Sequence, residues 1–395
     1  MEKPVSELDQ FMASKRVSTS LLVGFIVMQI LSCTPAPLPK AQNTTLSVGR
    51  SWPLTLNRAD EDVLATWRGA AGIAILWVEH GRLAFWRSTA PVIYVETIGI
   101  PTTADLIYTA DGLWHFIYTT VSGTFYQQID QQRDIVSPIN QIDIRGSDLH
   151  LHSWHNQIYA VAKRNGRYTM YQKQSDRWDS IWDIGVGNSI QISAGQEWSY
   201  LLLISDSQPT LFGRFHQEES WTHLVDKQLP LGPTAERTQF VATEQKITLT
   251  WITRETKQNR QTSYLHVAIS DTKGKDWHKT TTAASFTNRE QLSATAYPQI
   301  INDQLVVFFM TEKRGDQNSG QLGYKRLFWI HCSFELNCHP IQPFFAPGTE
   351  RPLSQFFIMP SDQPAREQTF IVWGAYQSSY AQNRDWLITS VGGGS

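Results

Sequence analysis

His150 and His152 stand one residue apart. Side chains at i and i+2 of a strand project to the same face, and paired imidazoles are how zinc or copper is commonly held. His155 follows in the adjacent turn, but no third ligand can be read nearby, so the expectation is a polar strand face or a hydrogen-bonded imidazole. A second cluster is WIHCSFELNCHP, in which His331 and His339 flank Cys332 and Cys338. The spacing is not the CxxC type of structural zinc sites. Outside the cytoplasm such a pair is usually oxidised, so a disulfide pinning a surface hairpin is expected, and no metal. The loop it closes is small, so it stabilises less than a long-range bridge. Acid/base chemistry on a glycosidic bond would need two carboxylates within about 5–10 Å. Glu79, Asp105, Asp143 and Glu244 are the candidates among sparse strand charges, and the default for each is a turn cap or a solvent-facing charge.

Aromatic faces offer a different chemistry. The chain has 15 Trp, 13 Tyr and 18 Phe, and Trp114, Trp154, Trp182, Trp198, Trp251 and Trp373 recur in or beside apolar segments. Exposed indoles at one mouth would suit sugar stacking or a protein interface, although most are expected in the core. A net charge of -2 gives no electrostatic footprint for nucleic acid. No phosphate loop, dinucleotide fingerprint or Ser-His-Asp context is present, and no cofactor is implied.

These residues must be positioned by strands. From about Glu61 the chain shows two-residue alternation and almost no helical periodicity. DLIYTA, LWHFIYTT and TFYQQID follow one another with turns at Asp111-Gly112 and Ser122-Gly123, and DLHLHSW, QIYAVAKR and RYTMYQKQ repeat the plan with turns at His155-Asn156 and Asn165-Gly166. Such pairs tolerate the positive φ of tight hairpins. Comparable apolar runs begin at Gly72, Leu113, Gln157, Ser199, Ile247, Leu305 and Phe370. A repeat of roughly 40–60 residues is the blade length of a propeller with loop insertions. The expectation is an all-β propeller of about seven, alternatively six, four-stranded antiparallel blades, with a β-sandwich as the competing architecture.

Trp178, Trp221 and Trp277 each follow a polar turn and precede a short strand. The last closes SDTKGKDW, residues 270–277, which resembles the Asp-box of sialidase-like, BNR-repeat propellers. Ser270, Gly274 and Trp277 match, whereas Thr272 stands in the Asp position and Asp276 in the Thr position. The resemblance implies a structural turn remote from the active centre. It also implies, for a sialidase, three arginines gripping a carboxylate, a Tyr nucleophile activated by Glu, and an Asp acid/base. The nearest string to that family's first arginine motif is Ile98-Gly99-Ile100-Pro101, with Gly in place of Arg. Arg68, Arg145 and Arg289 stand near blade starts, with nothing in the sequence to bring them together.

The N-terminus carries a different signal. Lys15-Arg16 precedes the apolar run Leu21 to Leu31, which ends in Ile30-Leu31-Ser32-Cys33. This resembles the lipobox of bacterial lipoproteins. The run is about half the roughly 20 residues a spanning helix requires, and Met12 would serve as a start that shortens the lead-in. The resemblance implies cleavage before Cys33, a lipid on Cys33 and a location outside the cytoplasm, anchored to the cell membrane or envelope. The expected divisions are therefore a signal peptide at 1–32, a lipidated Cys and flexible tether at 33–60, a propeller at 61–391, and a tail at 392–395. The functional expectation is an envelope-anchored binding or scaffolding module for a protein complex or extracellular glycan. The alternative is a divergent sialidase-like glycoside hydrolase.

Overall fold

The computed structural model describes residues within 46–393. Segments 55–62, 314–323, 345–352, 360–367 and 377–383, and shorter stretches elsewhere, lie outside the described residues, as do the segment read as a signal and Cys33. Among the described residues no helix is long and apolar enough to cross a membrane.

The seven apolar runs read from the sequence become the second strands of seven separate antiparallel sheets. Counting along the chain, blades 1 to 6 span 63–95, 103–142, 147–186, 189–223, 236–287 and 290–343, and blade 7 spans 353–393. Neighbouring residues on one second strand pack toward opposite blades. Phe116 lies in the cluster shared by blades 1 and 2, and Ile117 in the cluster shared by blades 2 and 3. Leu201 faces blade 3 and Leu202 faces blade 5. Trp251 and Ile252, then Phe308 and Phe309, divide in the same way. Burial on both faces is why these strands read as continuous apolar runs and not as simple alternation.

The same bookkeeping closes the ring. Seven apolar clusters join the seven blades pairwise, and the last of them packs Met359, Val372 and Ile388 of blade 7 against Ile75 and Trp77 of blade 1. First strands touch between blades 1 and 2, 2 and 3, 4 and 5, and 5 and 6, which places them around the axis. The structure therefore bears out the propeller expectation, with seven blades.

Two expected boundaries need correction. Residues Leu46–Leu54, assigned to the tether, form a strand that pairs antiparallel with Arg384–Gly393 and becomes the outer strand of blade 7. Gly392 and Gly393, assigned to the tail, are part of that pairing, with Gly393 opposite Leu46. The sequence signal was present in two pairs spaced by two, Leu46 with Val48 and Trp52 with Leu54, but Arg50 takes the apolar position between them beside Gly49, Pro53 falls inside the second pair, and a bulge falls between Val48 and Ser51. Val63 opens the inner strand of blade 1.

Four antiparallel strands return the chain to the end of the ring from which it started. Every inner strand therefore begins at one axial end, the upper end, beside the ends of the second strands. The turns between inner and second strands, and between third and outer strands, lie at the lower end. SDTKGKDW joins the third and outer strands of blade 5, so it is a lower-end turn. The Ser270 Oγ accepts from the Gly274 backbone N–H at 2.9 Å, and the Thr272 Oγ1 accepts from that of Asp276 at 2.8 Å, so Thr272 ties the turn where an Asp was expected.

Candidate functional site

The inner strands have free edges toward the axis, and side chains of the preceding blade satisfy several of them. Asp105 stands opposite Ile117, His150 opposite Val161 and Gln191 opposite Leu202, each facing the fifth or an equivalent residue of its second strand, so the three occupy one level of the ring. The Asp105 Oδ2 accepts the Leu151 N–H of blade 3 at 2.7 Å, and its Oδ1 accepts the Leu106 N–H at 2.8 Å. Two blades on, the Gln191 Oε1 accepts the Phe240 N–H of blade 5 at 3.1 Å, while its amide donates to the Thr238 carbonyl. One device, a polar side chain bonded to the next inner strand, is thus used twice.

At the upper end the inner strands of blades 1, 3, 5 and 7 are bulged. Two of these bulges hold non-glycine residues in the left-handed region, Asp148 at φ 54° and Arg237 at φ 52°. That conformation costs a non-glycine residue roughly 1–3 kcal/mol and concentrates at functional sites. In blade 3, Asp148 accepts a hydrogen bond from the buried Tyr168 hydroxyl and pairs with the His150 Nε2 at 3.3 Å. Burial works to lower the His150 pKa, but the Asp148 carboxylate beside it and the charge of Asp105 outweigh it, so the net shift is upward. Burial likewise works to raise Asp148, and its His150 and Tyr168 partners hold it below the usual carboxylate range. Asp105 is pushed up, chiefly by burial. The group therefore sets side by side a carboxyl made more acidic, an imidazole made more basic and a second carboxyl made less acidic.

The second upper-end feature lies between blades 5 and 6. The inner strand of blade 6 is broken into Glu290–Leu292 and Tyr297–Ile301. Blade 5 fastens the break, with the Ser263 Oγ accepting the Leu292 N–H at 3.0 Å and the Thr250 Oγ1 donating to the Ala296 carbonyl at 2.7 Å. Above it opens a cleft of about 320 Å³ lined by Arg237, Arg254, Gln261, Gln291, Leu292, Ser293 and Glu312. Arg254 pairs with Glu236 and donates to the Leu292 carbonyl at 3.1 Å. Arg237 is exposed and donates one guanidinium N–H to the Ser293 carbonyl. Gln291 is only 8% exposed. Its amide donates to the Gln261 carbonyl at 2.9 Å, and its Oε1 has no hydrogen-bond partner among the described residues.

The sequence candidates are placed differently. Trp114, Trp154, Trp251 and Trp373 are buried, and Trp182 and Trp198 are partly buried against interblade clusters. The six do not form a binding mouth. Trp114, for example, is ringed by Trp67 at 4.9 Å, Tyr108 at 5.0 Å and Phe85 at 5.3 Å, because an indole on a second strand is directed into a neighbouring blade. Arg68 is buried and lies over the Phe370 ring of blade 7, and Arg145 is an exposed partner of Asp143. Arg289, Glu244 and His155 lie outside the described residues. Glu79 is buried at the end of a second strand. Gly99 adopts φ 84° in the loop leading into blade 2, a turn glycine at the position an arginine would need.

His150 and His152 have separate partners, Asp148 for the first and an edge contact with Trp154 at 4.5 Å for the second. Cys332 and Cys338 form a disulfide, and His331 and His339 stack on each other beside it at 4.9 Å. Among the described residues no group of three or more His, Cys, Asp or Glu is placed to hold a metal ion. Arg237, Arg254 and Gln291 were missed by sequence reading. Only the backbone break and bulge distinguish them from ordinary polar strand residues.

No protein-family model and no curated relative matches the sequence. Among solved structures the chain is similar to the polysaccharide lyase Uly1, with a TM-score of 0.53 and 9% identity over 83% of this chain and 89% of that one. It also resembles YjhT, with a TM-score of 0.42 and 7% identity over 75% of this chain and 99% of that one. A puromycin-hydrolyzing peptidase of Mycobacterium tuberculosis gives 0.48 and 10% over 84% and 52%. At this identity the likeness to Uly1 shows a shared fold. The chain is a seven-bladed β-propeller.

Proposed function

We propose that this propeller is a binding or scaffolding module, held outside the cytoplasm by a lipid on Cys33, which takes an extracellular glycan or envelope protein at its upper end. The carrying observation is the cleft between blades 5 and 6, a concave site with converging arginine and amide groups at the end where the inner strands are bulged. The lower end consists mainly of hairpin turns, such as the self-closed loop around Ser270.

Cross-linking in native membranes tests the reading. Lys163, Lys257 and Lys313 end second strands at the upper end, whereas Lys246 and Lys275 lie at the lower end. Ligand cross-links are expected on the first set. Cross-links confined to Lys246 and Lys275 would overturn the assignment. A second reading, glycan cleavage, is favoured by the Asp148–His150 pair with Asp105 behind it, since these groups could move a proton. It requires glycan turnover that His150→Gln abolishes in a protein of unchanged melting temperature.

A further inference from the structure

We infer that the cleft between blades 5 and 6 receives a single-carboxylate, hydroxyl-rich unit, an acidic sugar of a glycan chain. This rests on the reading that the upper end binds ligand and specifies what one subsite accepts. Three observations bear on the occupant's chemistry. The guanidinium of Arg237 is exposed at the rim with one N–H committed to Ser293, leaving a fork suited to a carboxylate. The Gln291 Oε1 is a buried acceptor without a donor among the described residues, and leaving such a group unsatisfied costs about 1–3 kcal/mol. An occupant that supplies a neutral O–H there recovers that cost. Glu312 adds a second acceptor on the wall.

The charges set a limit on the anion. Arg254 is paired with Glu236, and Glu312 shares the lining with Arg237, so among the described residues there is no excess positive charge for a phosphate dianion or a sulfate cluster. One carboxylate with several hydroxyls matches one exposed guanidinium with two acceptor side chains, Gln291 and Glu312. The volume of about 320 Å³ lies at the small end of ligand pockets, which run roughly 300–1,000 Å³, so the cleft takes one or two sugar units and leaves the rest of a chain outside. An acidic peptide would supply the carboxylate and a backbone N–H for Gln291 but no array of hydroxyls, and the titration below separates it from a sugar.

Calorimetric titration of the full-length protein with tetragalacturonate, its methyl ester and hexaglutamate separates these terms. The ester keeps most of the hydroxyls and removes the charge, and the peptide does the reverse. The acid is expected to bind at least 10-fold more tightly than either. Arg237→Ala, an exposed change, should weaken the acid about 10-fold and leave the ester within 2-fold. Gln291→Met should weaken both sugars about 5-fold, with a melting curve confirming that the variant is folded. Equal binding of acid and ester, hexaglutamate binding as well as the acid, or Arg237→Ala binding like wild type would each overturn the inference. Failure of wild type to bind any probe, with native cross-links still on Lys163, Lys257 and Lys313, would remove this ligand and keep the upper-end reading. Cross-links at the lower end would remove both.

Discussion

His115 shows how one residue makes the fold depend on pH. It is 1% exposed on the second strand of blade 2. The Thr109 hydroxyl donates to Asp111, so the His115 Nε2–H donates to the Thr109 Oγ1 at 2.7 Å, and the Nδ1 accepts from the Tyr126 hydroxyl at 2.6 Å and the Gln128 amide at 3.2 Å. That arrangement uses the neutral ring. Burial, with a smaller contribution from Lys173 and against the pull of Asp111, brings its pKa down to about 4. An unfolded histidine takes a proton near pH 6.5 that the folded one refuses until about 4, so stability is full above about 6.5 and falls as pH drops through that window. The shift corresponds to about 3 kcal/mol at most. Denaturant titrations at pH 7 and pH 4.5 should show the loss, and His115→Gln should flatten that part of the profile. An unchanged profile in the variant would assign the acid sensitivity elsewhere.

At the scale of elements, the outer strand of blade 7 and the blade 6 disulfide carry the clearest expectations. A chain beginning at residue 55 lacks the strand Leu46–Leu54 and exposes the edge of Arg384–Gly393. Each lost backbone hydrogen bond is worth about 1 kcal/mol, so several are a large part of a typical total of 5–15 kcal/mol. The truncated chain should unfold at lower denaturant and aggregate through the open edge, whereas a chain beginning at Leu46 should not. Reducing Cys332–Cys338, whose sequence separation is 6, removes a short loop constraint worth about 2 kcal/mol in the chain-entropy account. A smaller loss of melting temperature than for the truncation is expected. The second strands were legible in the sequence because burial on both faces writes an uninterrupted apolar run. Leu46–Leu54 was not, because Gly49, Arg50 and Pro53 break its alternation. The cleft was not legible either, since Arg237 and Gln291 meet only after two blades are docked and one inner strand is broken.

For the molecule as a whole, the ring of seven interblade clusters accounts for the many aromatic side chains and leaves function to the axial ends. The proposed anchoring is checked by intact mass. Protein extracted from membranes should begin at Cys33 with the added mass of acyl chains, and Cys33→Ser should keep its leader or enter the soluble fraction. Retention of Leu21 to Leu31 in the mature protein would refute it. The blade that closes the ring takes its outer strand from the opposite end of the chain, and Leu46 sits at the lower end of that pair, opposite Gly393. With Cys33 lipidated, as proposed, this is the first described strand to feel a pull on the anchor. The component of the pull along the strand shears its rungs together instead of peeling them singly, so the latch of the ring and the grip of the anchor are mechanically one part.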